Sequence, residues 1–215
     1  MKDTIEIKDL SKAFKKVADT MAENSEKLCE MDALMGDGDL GLTMKKGFAA
    51  FSEAFDEQED VPQIGKRVVK AAMKMASAVP STMGTLMSSA LMSGGMKVAN
   101  NETLDPSAFG LFLDGLVEGI VKRGKCQRGD RTVLDALGTS ADCVKEALDN
   151  DPGAGLEKIF QAAVDGVRKG AEDTKAMQPK FGKALVHRDK AEGVVDQGAY
   201  CGMLLIEALC DPENF

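Results

Sequence analysis

An all-α fold, with eight helices packed antiparallel as an up-and-down barrel or bundle, is what this 215-residue sequence predicts. Three observations carry the prediction. Apolar residues recur at three- and four-residue steps along most of the chain. Segments alternating apolar and polar at every second position are nearly absent. Composition, with one Tyr, no Trp and abundant Ala, Met, Lys and Glu, favours helix over strand. Short connectors between successive helices then make neighbours antiparallel.

The first helix is predicted over 7–30, where Leu10, Phe14, Val17 and Met21 follow steps of four, three and four. The second covers 41–57. The third, 61–78, repeats the pattern with Ile64, Val68, Ala72 and Met75. Asn100-Asn101 separates the fourth, 83–99, from the fifth, 105–123, whose wide stripe runs Phe109, Phe112, Leu113, Leu116, Val117 and Ile120 and closes at Arg123-Gly124. The sixth, 130–149, opens on Asp130 as its N-cap, and Asn150-Asp151-Pro152-Gly153 parts it from the seventh. That helix, 153–173, carries Leu156, Ile159, Phe160, Ala163, Val164 and Val167. The eighth, 197–211, opens on Asp196 as its N-cap. Leu34 to Gly41 and Lys175 to Val195 stay irregular, and long irregular stretches in a compact domain are often functional loops.

With 44% hydrophobic and 29% charged residues the balance is that of a globular protein, and residues 1–215 are expected to form one domain. A formal net charge of -8 argues against nucleic acid as a partner, since a phosphate backbone would be repelled. An acidic protein that holds phosphates needs a divalent metal or a local Lys/Arg cluster. No apolar run reaches signal-peptide length or the roughly 20 residues needed to cross a bilayer, so a cytoplasmic protein with no membrane attachment is expected. Cys29, Cys126, Cys143, Cys201 and Cys210 are scattered without C-x-x-C spacing and read as reduced, buried thiols. The 13 methionines read as core gap-fillers.

Four segments could carry chemistry. In Asp32-Ala33-Leu34-Met35-Gly36-Asp37-Gly38-Asp39-Leu40-Gly41, three carboxylates fall within eight positions, with Gly36, Gly38 and Gly41 among and after them. Like charges at that spacing repel unless a cation lies between them, and carboxylate oxygens suit magnesium, with phosphate oxygens completing its shell. The glycines allow tight turning, and a helix start just after them offers a positive dipole end. The same stretch also reads as a solvated loop with capping aspartates. An EF-hand is excluded, because a loop begun at Asp37 has Phe48 at its twelfth position instead of Glu. No G-x-x-x-x-G-K-[ST] occurs, so a nucleotide would be gripped through metals more than through a P-loop lysine. Pro80-Ser81-Thr82-Met83-Gly84-Thr85 reads either as a phosphate-cradling turn or as a plain N-cap. Arg123-Gly124-Lys125 with Gly129-Asp130-Arg131-Thr132-Val133 reads equally as a charged turn. Gly182-Lys183-Ala184 with Asp196-Gln197-Gly198-Ala199 reads equally as a loop lysine and a capped helix. His187, the only histidine, lacks acidic or Cys neighbours at ligand spacing and reads as a surface loop residue. No G-x-S-x-G elbow supports a serine hydrolase.

Taken in order, these segments resemble the L subunit of bacterial dihydroxyacetone kinases, DhaL. That family carries a leading Asp before G-D-x-D-H-G-x-x-M, then G-G-x-S-G, R-G-K-x-x-x-G-D-x-T, G-R-A and D-P-G-A. Here Gly36-Asp37-Gly38-Asp39-Leu40-Gly41-Leu42-Thr43-Met44, Ser81 to Gly84, Arg123 to Thr132, Gly182 to Ala184 and Asp196 to Ala199 stand in their places, over nearly the whole chain. The resemblance implies an eight-helix antiparallel barrel with the nucleotide at one rim. It implies that Asp32, Asp37 and Asp39 hold two Mg2+ ions bridging the phosphates of ADP or ATP and form the catalytic centre. Around the nucleotide it puts Leu40, Gly41, Leu42, Thr43, Ser81, Thr82, Met83, Gly84, Gly124, Thr132, Val133, Lys183, Asp196, Gln197 and Gly198, with Lys183 offsetting phosphate charge and Val133 near the base. The implied activity is phosphoryl transfer to a small hydroxy-ketone held on a DhaK-like partner subunit. The nucleotide then exchanges as ATP or stays bound as ADP and is recharged by a DhaM-like phosphotransferase-system protein; a homodimer is left open.

The sequence departs from the pattern at informative places. Leu40 stands where the family has histidine, Met83 and Thr85 alter the phosphate turn, and Lys183 replaces an arginine, losing its bidentate fork. Gln197 replaces a proline. Together these departures suggest a divergent member with another small ketose or triose as acceptor, and the resemblance separately admits a non-enzymatic nucleotide-sensing co-regulator or a fatty-acid-kinase-like nucleotide domain.

Overall fold

The computed structural model describes residues 3–181, 185 and 191–215. Among these the structure is helical, and the only β-type pairing is an isolated antiparallel bridge between Ile5 and Leu104. The helices are α1 (Ile7–Glu23), α2 (Ser25–Ala33), α3 (Leu40–Asp56), α4 (Ile64–Ala78), α5 (Thr82–Lys97), α6 (Pro106–Gly124), α7 (Val133–Asn150), α8 (Leu156–Asp173) and α9 (Gln197–Leu209). Single 3-10 turns cover Thr174–Ala176 and Pro212–Asn214.

Two expectations need correction. The helix expected over 7–30 is two helices, because Asn24 leaves helical geometry at φ -93, ψ 8 and its side-chain amide donates to the Thr20 carbonyl at 2.9 Å. An asparagine that bonds its own backbone competes with the helical ladder. The described residues therefore hold nine helices, one more than the apolar spacing suggested. Asp130 is also not the cap of the sixth expected helix. Thr132 caps α7, its hydroxyl accepting from the Leu134 amide while Asp135 accepts from the Thr132 amide at 2.8 Å. Asp196 does cap α9, accepting from the Ala199 amide at 2.9 Å.

Eight helices form a closed ring. α1 packs on α3, and each of α3 to α8 packs on the next, until α9 closes against α1. α2 stands outside the ring, lying mainly on α3. Ring neighbours alternate in direction. At one end Ile5, just before α1, bridges Leu104, just before α6, and the Ile64 amide at the start of α4 donates to Asn101. The starts of α3, α5, α7 and α9 gather at the opposite end.

The apolar stripes read from the sequence point into this ring. Phe14 meets Phe51 and Phe55 edge-on at centroid distances of 4.8 and 4.9 Å, and Phe109 meets Phe160 at 5.0 Å. Met21, Met44, Met75 and Met87 fill the interior, whereas Met73 and Met96 are exposed. α5 and α6 approach unusually closely, since a Cβ on Gly115 would lie 2.6 Å from the Gly94 Cα. No helix among the described residues is long and apolar enough to cross a membrane.

Candidate functional site

The acidic segment between α2 and α3 folds back on itself. Asp32, in the last turn of α2, is buried, and one carboxylate oxygen accepts from the Gly38 and Asp39 amides at 2.8 and 3.1 Å. Its other oxygen accepts from the Gln197 side-chain amide at 3.3 Å. Gly38 turns with φ +76, open to glycine without strain, and a Cβ on Gly36 would collide with the Asp32 carboxylate. The result brings Asp32, Asp37 and Asp39 together: one carboxylate oxygen from each lies within 4.8 Å of the others. Asp39 is the N-cap of α3 yet makes no side-chain capping bond, so its carboxylate is not spent on the helix.

These carboxylates border a cleft of about 300 Å³, within the size range of small-molecule sites. Its lining also includes Leu40 and Thr43 from α3, and the N-caps and first residues of three more helices: Ser81, Thr82 and Met83 at α5, Thr132 and Val133 at α7, and Asp196, Gln197 and Gly198 at α9. Four helix N-termini therefore face one space, each contributing a partial positive charge. Such convergence follows from a ring in which every second helix starts at the same end.

Some expected residues stand elsewhere. Gly41 is pressed against the Ser25 carbonyl, Leu42 points outward with 64% exposure, Gly84 donates its amide to the Ser81 hydroxyl, and Gly124 packs by Leu86 and Cys126. None of these four lines the cleft. Lys183, with its neighbours Gly182 and Ala184, and His187 lie outside the described residues. Met35, Gly36, Leu86, Arg131 and Phe181, which were not among the expected nucleotide contacts, also line it.

The described lining holds four carboxylates and one guanidinium, and that guanidinium is already committed. Arg131, at φ 61, has a side chain with no exposure and pairs with Asp196 at 3.8 Å. Burial lowers its pKa, with Asp196 pulling the other way. Burial pushes Asp196 up to about 6, partly offset by the Ala199 amide and Arg131. Asp130, freed from capping, accepts from the Gln127 amide at 2.8 Å and from Lys180 at 2.9 Å; although burial opposes them, these partners hold its carboxyl below the usual range. Thiol chemistry has no support in the protein interior, since burial pushes Cys201 up to about 12 and Cys210 further still.

A family model described as the DAK2 domain matches residues 34–211. The chain belongs to the DAK2 domain family. The ADP-binding subunit DhaL of the PEP-dependent dihydroxyacetone kinase 1 of Listeria innocua serovar 6a is 29% identical over 194 residues, 89% of each chain. The ADP-binding subunit DhaL of the PTS-dependent dihydroxyacetone kinase of Lactococcus lactis subsp. lactis is 30% identical over 196 residues, 91% of this chain and 92% of that protein. An L-erythrulose 1-kinase of Mycolicibacterium smegmatis is 30% identical over 190 residues, and there this chain matches only 32% of the relative's length. In three dimensions the dihydroxyacetone kinase of C. freundii, solved with AMP-PNP and Mg2+, shares the fold. Its TM-score is 0.68 at 22% identity, over 94% of this chain and 33% of that one.

Proposed function

We propose that this chain is the nucleotide- and magnesium-binding subunit of a dihydroxyacetone-type kinase. In this reading residues 1–215 form one domain that holds ADP or ATP in the cleft. It passes a phosphoryl group to a small hydroxy-ketone seated on a separate, DhaK-like subunit. The observation that carries the reading is the convergence of Asp32, Asp37 and Asp39 within 4.8 Å at a rim onto which four helix N-termini open.

The donor set fits magnesium, whose shell is built from one or two carboxylates per ion plus phosphate oxygens. Three carboxylates suit two such ions. The fit extends to charge: a rim of four carboxylates whose described guanidinium is already paired would repel a bare phosphate, and needs divalent cations to receive one. Bound magnesium would neutralise charge on the transferring group and align donor with acceptor. The protein's own residues prepare the rest. Asp32 is held by two backbone amides and the Gln197 amide. The buried Gln197 Oε1 has no partner among the described residues and offers an acceptor to a bound ligand. Thr43, Ser81, Thr82 and Thr132 supply hydroxyls beside the helix starts, while Leu40, Met83, Val133 and Gly198 form an apolar wall suited to a base. Lys183 is proposed, from the resemblance alone, as a charge that offsets the phosphates.

Relatives named as ADP-binding subunits of PEP- or PTS-dependent kinases favour a nucleotide that stays in place and is recharged by a phosphotransferase-system protein. Relatives named for dihydroxyacetone and erythrulose favour a short hydroxy-ketose acceptor. Asp37→Asn, at an exposed position, tests the assignment. Removing a direct ligand should cost more than the roughly 10–100-fold typical of outer-shell changes, so magnesium-dependent ADP binding should fall beyond about 100-fold with helix content unchanged. Unaltered binding in a calorimetric titration removes the metal assignment.

A further inference from the structure

Arg131 is the guanidinium on the described lining of an anion-binding cleft, and a phosphate contact is the obvious role for it. Its geometry contradicts that role. The backbone adopts the left-handed region at φ 61, which a non-glycine residue rarely takes. The side chain has no exposure. Nε donates to the Thr174 carbonyl at 3.3 Å, and Nη2 donates to the carbonyls of Ala191 and Val194 at 3.2 and 2.9 Å. Nη1 reaches the Met35 sulfur at 3.6 Å and the Asp196 carboxylate at 3.8 Å. All three nitrogens are engaged with protein.

Those partners belong to segments that shape the cleft. Met35 sits in the acidic loop, three residues after Asp32. Asp196 caps α9, and its amide donates to the Thr174 hydroxyl at 2.9 Å, so the Thr174 region is tied to Arg131 and to α9 at once. Gln197, the next residue, donates to Asp32. Two routes therefore lead from Arg131 to Asp32, one through the acidic loop and one through the start of α9.

We propose that Arg131 is a positioning residue that never touches the nucleotide and sets the cleft's affinity for magnesium and ADP. It does so by clamping residues 34–39 and the start of α9 into the arrangement that presents Asp32. The inference rests on the proposed reading of the cleft and adds a named determinant of its affinity. A lysine cannot take the part, because one ammonium cannot serve carbonyls spread around a planar fork.

The experiment compares the full-length wild type with Arg131→Lys and Arg131→Gln, using ADP with Mg2+ as titrant and amide hydrogen exchange without ligand. Both variants should lose roughly 10–100-fold in affinity, the lysine nearly as much as the glutamine. Exchange in 34–39 and 191–197 should rise at least about tenfold while α4 to α6 stay protected. Lysine binding within about twofold of wild type, with glutamine weak, would mean that charge alone suffices and overturns the clamp. Unchanged exchange in both segments overturns it too, whatever the affinities. A wild type that fails to bind Mg2+ and ADP while Arg131→Lys frees both segments brings down the reading of the cleft and supports the clamp. If the variants unfold, the wild type still decides by NMR. Separately resolved Arg131 Nη protons that stay put on adding Mg2+ and ADP are expected; a large shift marks direct contact and refutes the proposal.

Discussion

Among the described residues two guanidiniums are buried, at opposite ends of the ring, and they do the same job under different electrical conditions. Arg67 gives its donors to the carbonyls of Phe55, Glu59 and Val61, closing the connection from α3 to α4, and lies 5.9 Å from the Phe55 ring centroid. Arg131 likewise gathers carbonyls from a connection, in this case the one entering α9. Each supplies donors to loop backbone that would otherwise be buried unpaired. The difference is the company. Arg67 meets carbonyls and a ring, whereas Arg131 faces a buried carboxylate beside three more at the cleft. One end is arranged for shape. The other holds like charges together at a cost that the proposed cation-bearing ligand would relieve.

The sharpest way to break this contrast is pH. A folded-state pKa of about 6 means that the folded protein binds the Asp196 proton more tightly than the unfolded chain does. Its contribution to stability is therefore complete below about pH 4 and is lost as pH rises through 6. Asp196→Asn keeps a capping oxygen and does not titrate. Against it, wild type should lose on the order of 2–3 kcal/mol between pH 4 and 7 in urea denaturation. Parallel curves for the two proteins would erase the electrical difference between the ends. A smaller effect comes from Gly36→Ala, whose methyl must displace the Asp32 carboxylate. Magnesium-dependent ADP affinity should drop about 10–100-fold, whereas alanine at Gly155, where nothing lies within 4 Å, leaves it alone. The smallest change in binding belongs to the far end. Arg67→Lys should cost about 1–3 kcal/mol of stability by chemical denaturation, with ADP affinity kept within about twofold. A large loss of binding there would dissolve the distinction.

The sequence carried the far end better than the near one. Stripes such as Phe109, Phe112 and Leu116 are local, repeat at helical spacing, and point into the ring as read. The acidic loop was legible for the same reason, since its three carboxylates lie within eight positions and their chemistry demands company. Asn24 was not, because nothing next to it resembles a Gly or Pro stop and the break depends on its own side chain reaching Thr20. Asp130 misled because two good caps stand two positions apart; Thr132 prevailed with Asp135 at its third helical position, and Asp130 found Gln127 and Lys180 instead. Arg131 was read as part of a charged turn. Its carbonyl partners lie 43 to 63 positions away, a relation no local pattern encodes.

The alternation of direction around the ring has an evolutionary corollary. Eight members close with every neighbour antiparallel; deleting one would leave two parallel helices side by side and reverse which terminus each later helix offers to the cleft. Variation in this architecture is thus confined to whole hairpins, or to pieces such as α2 that stand outside the circle. Parity, as much as any side chain, keeps the electropositive ends on the side where the aspartates wait.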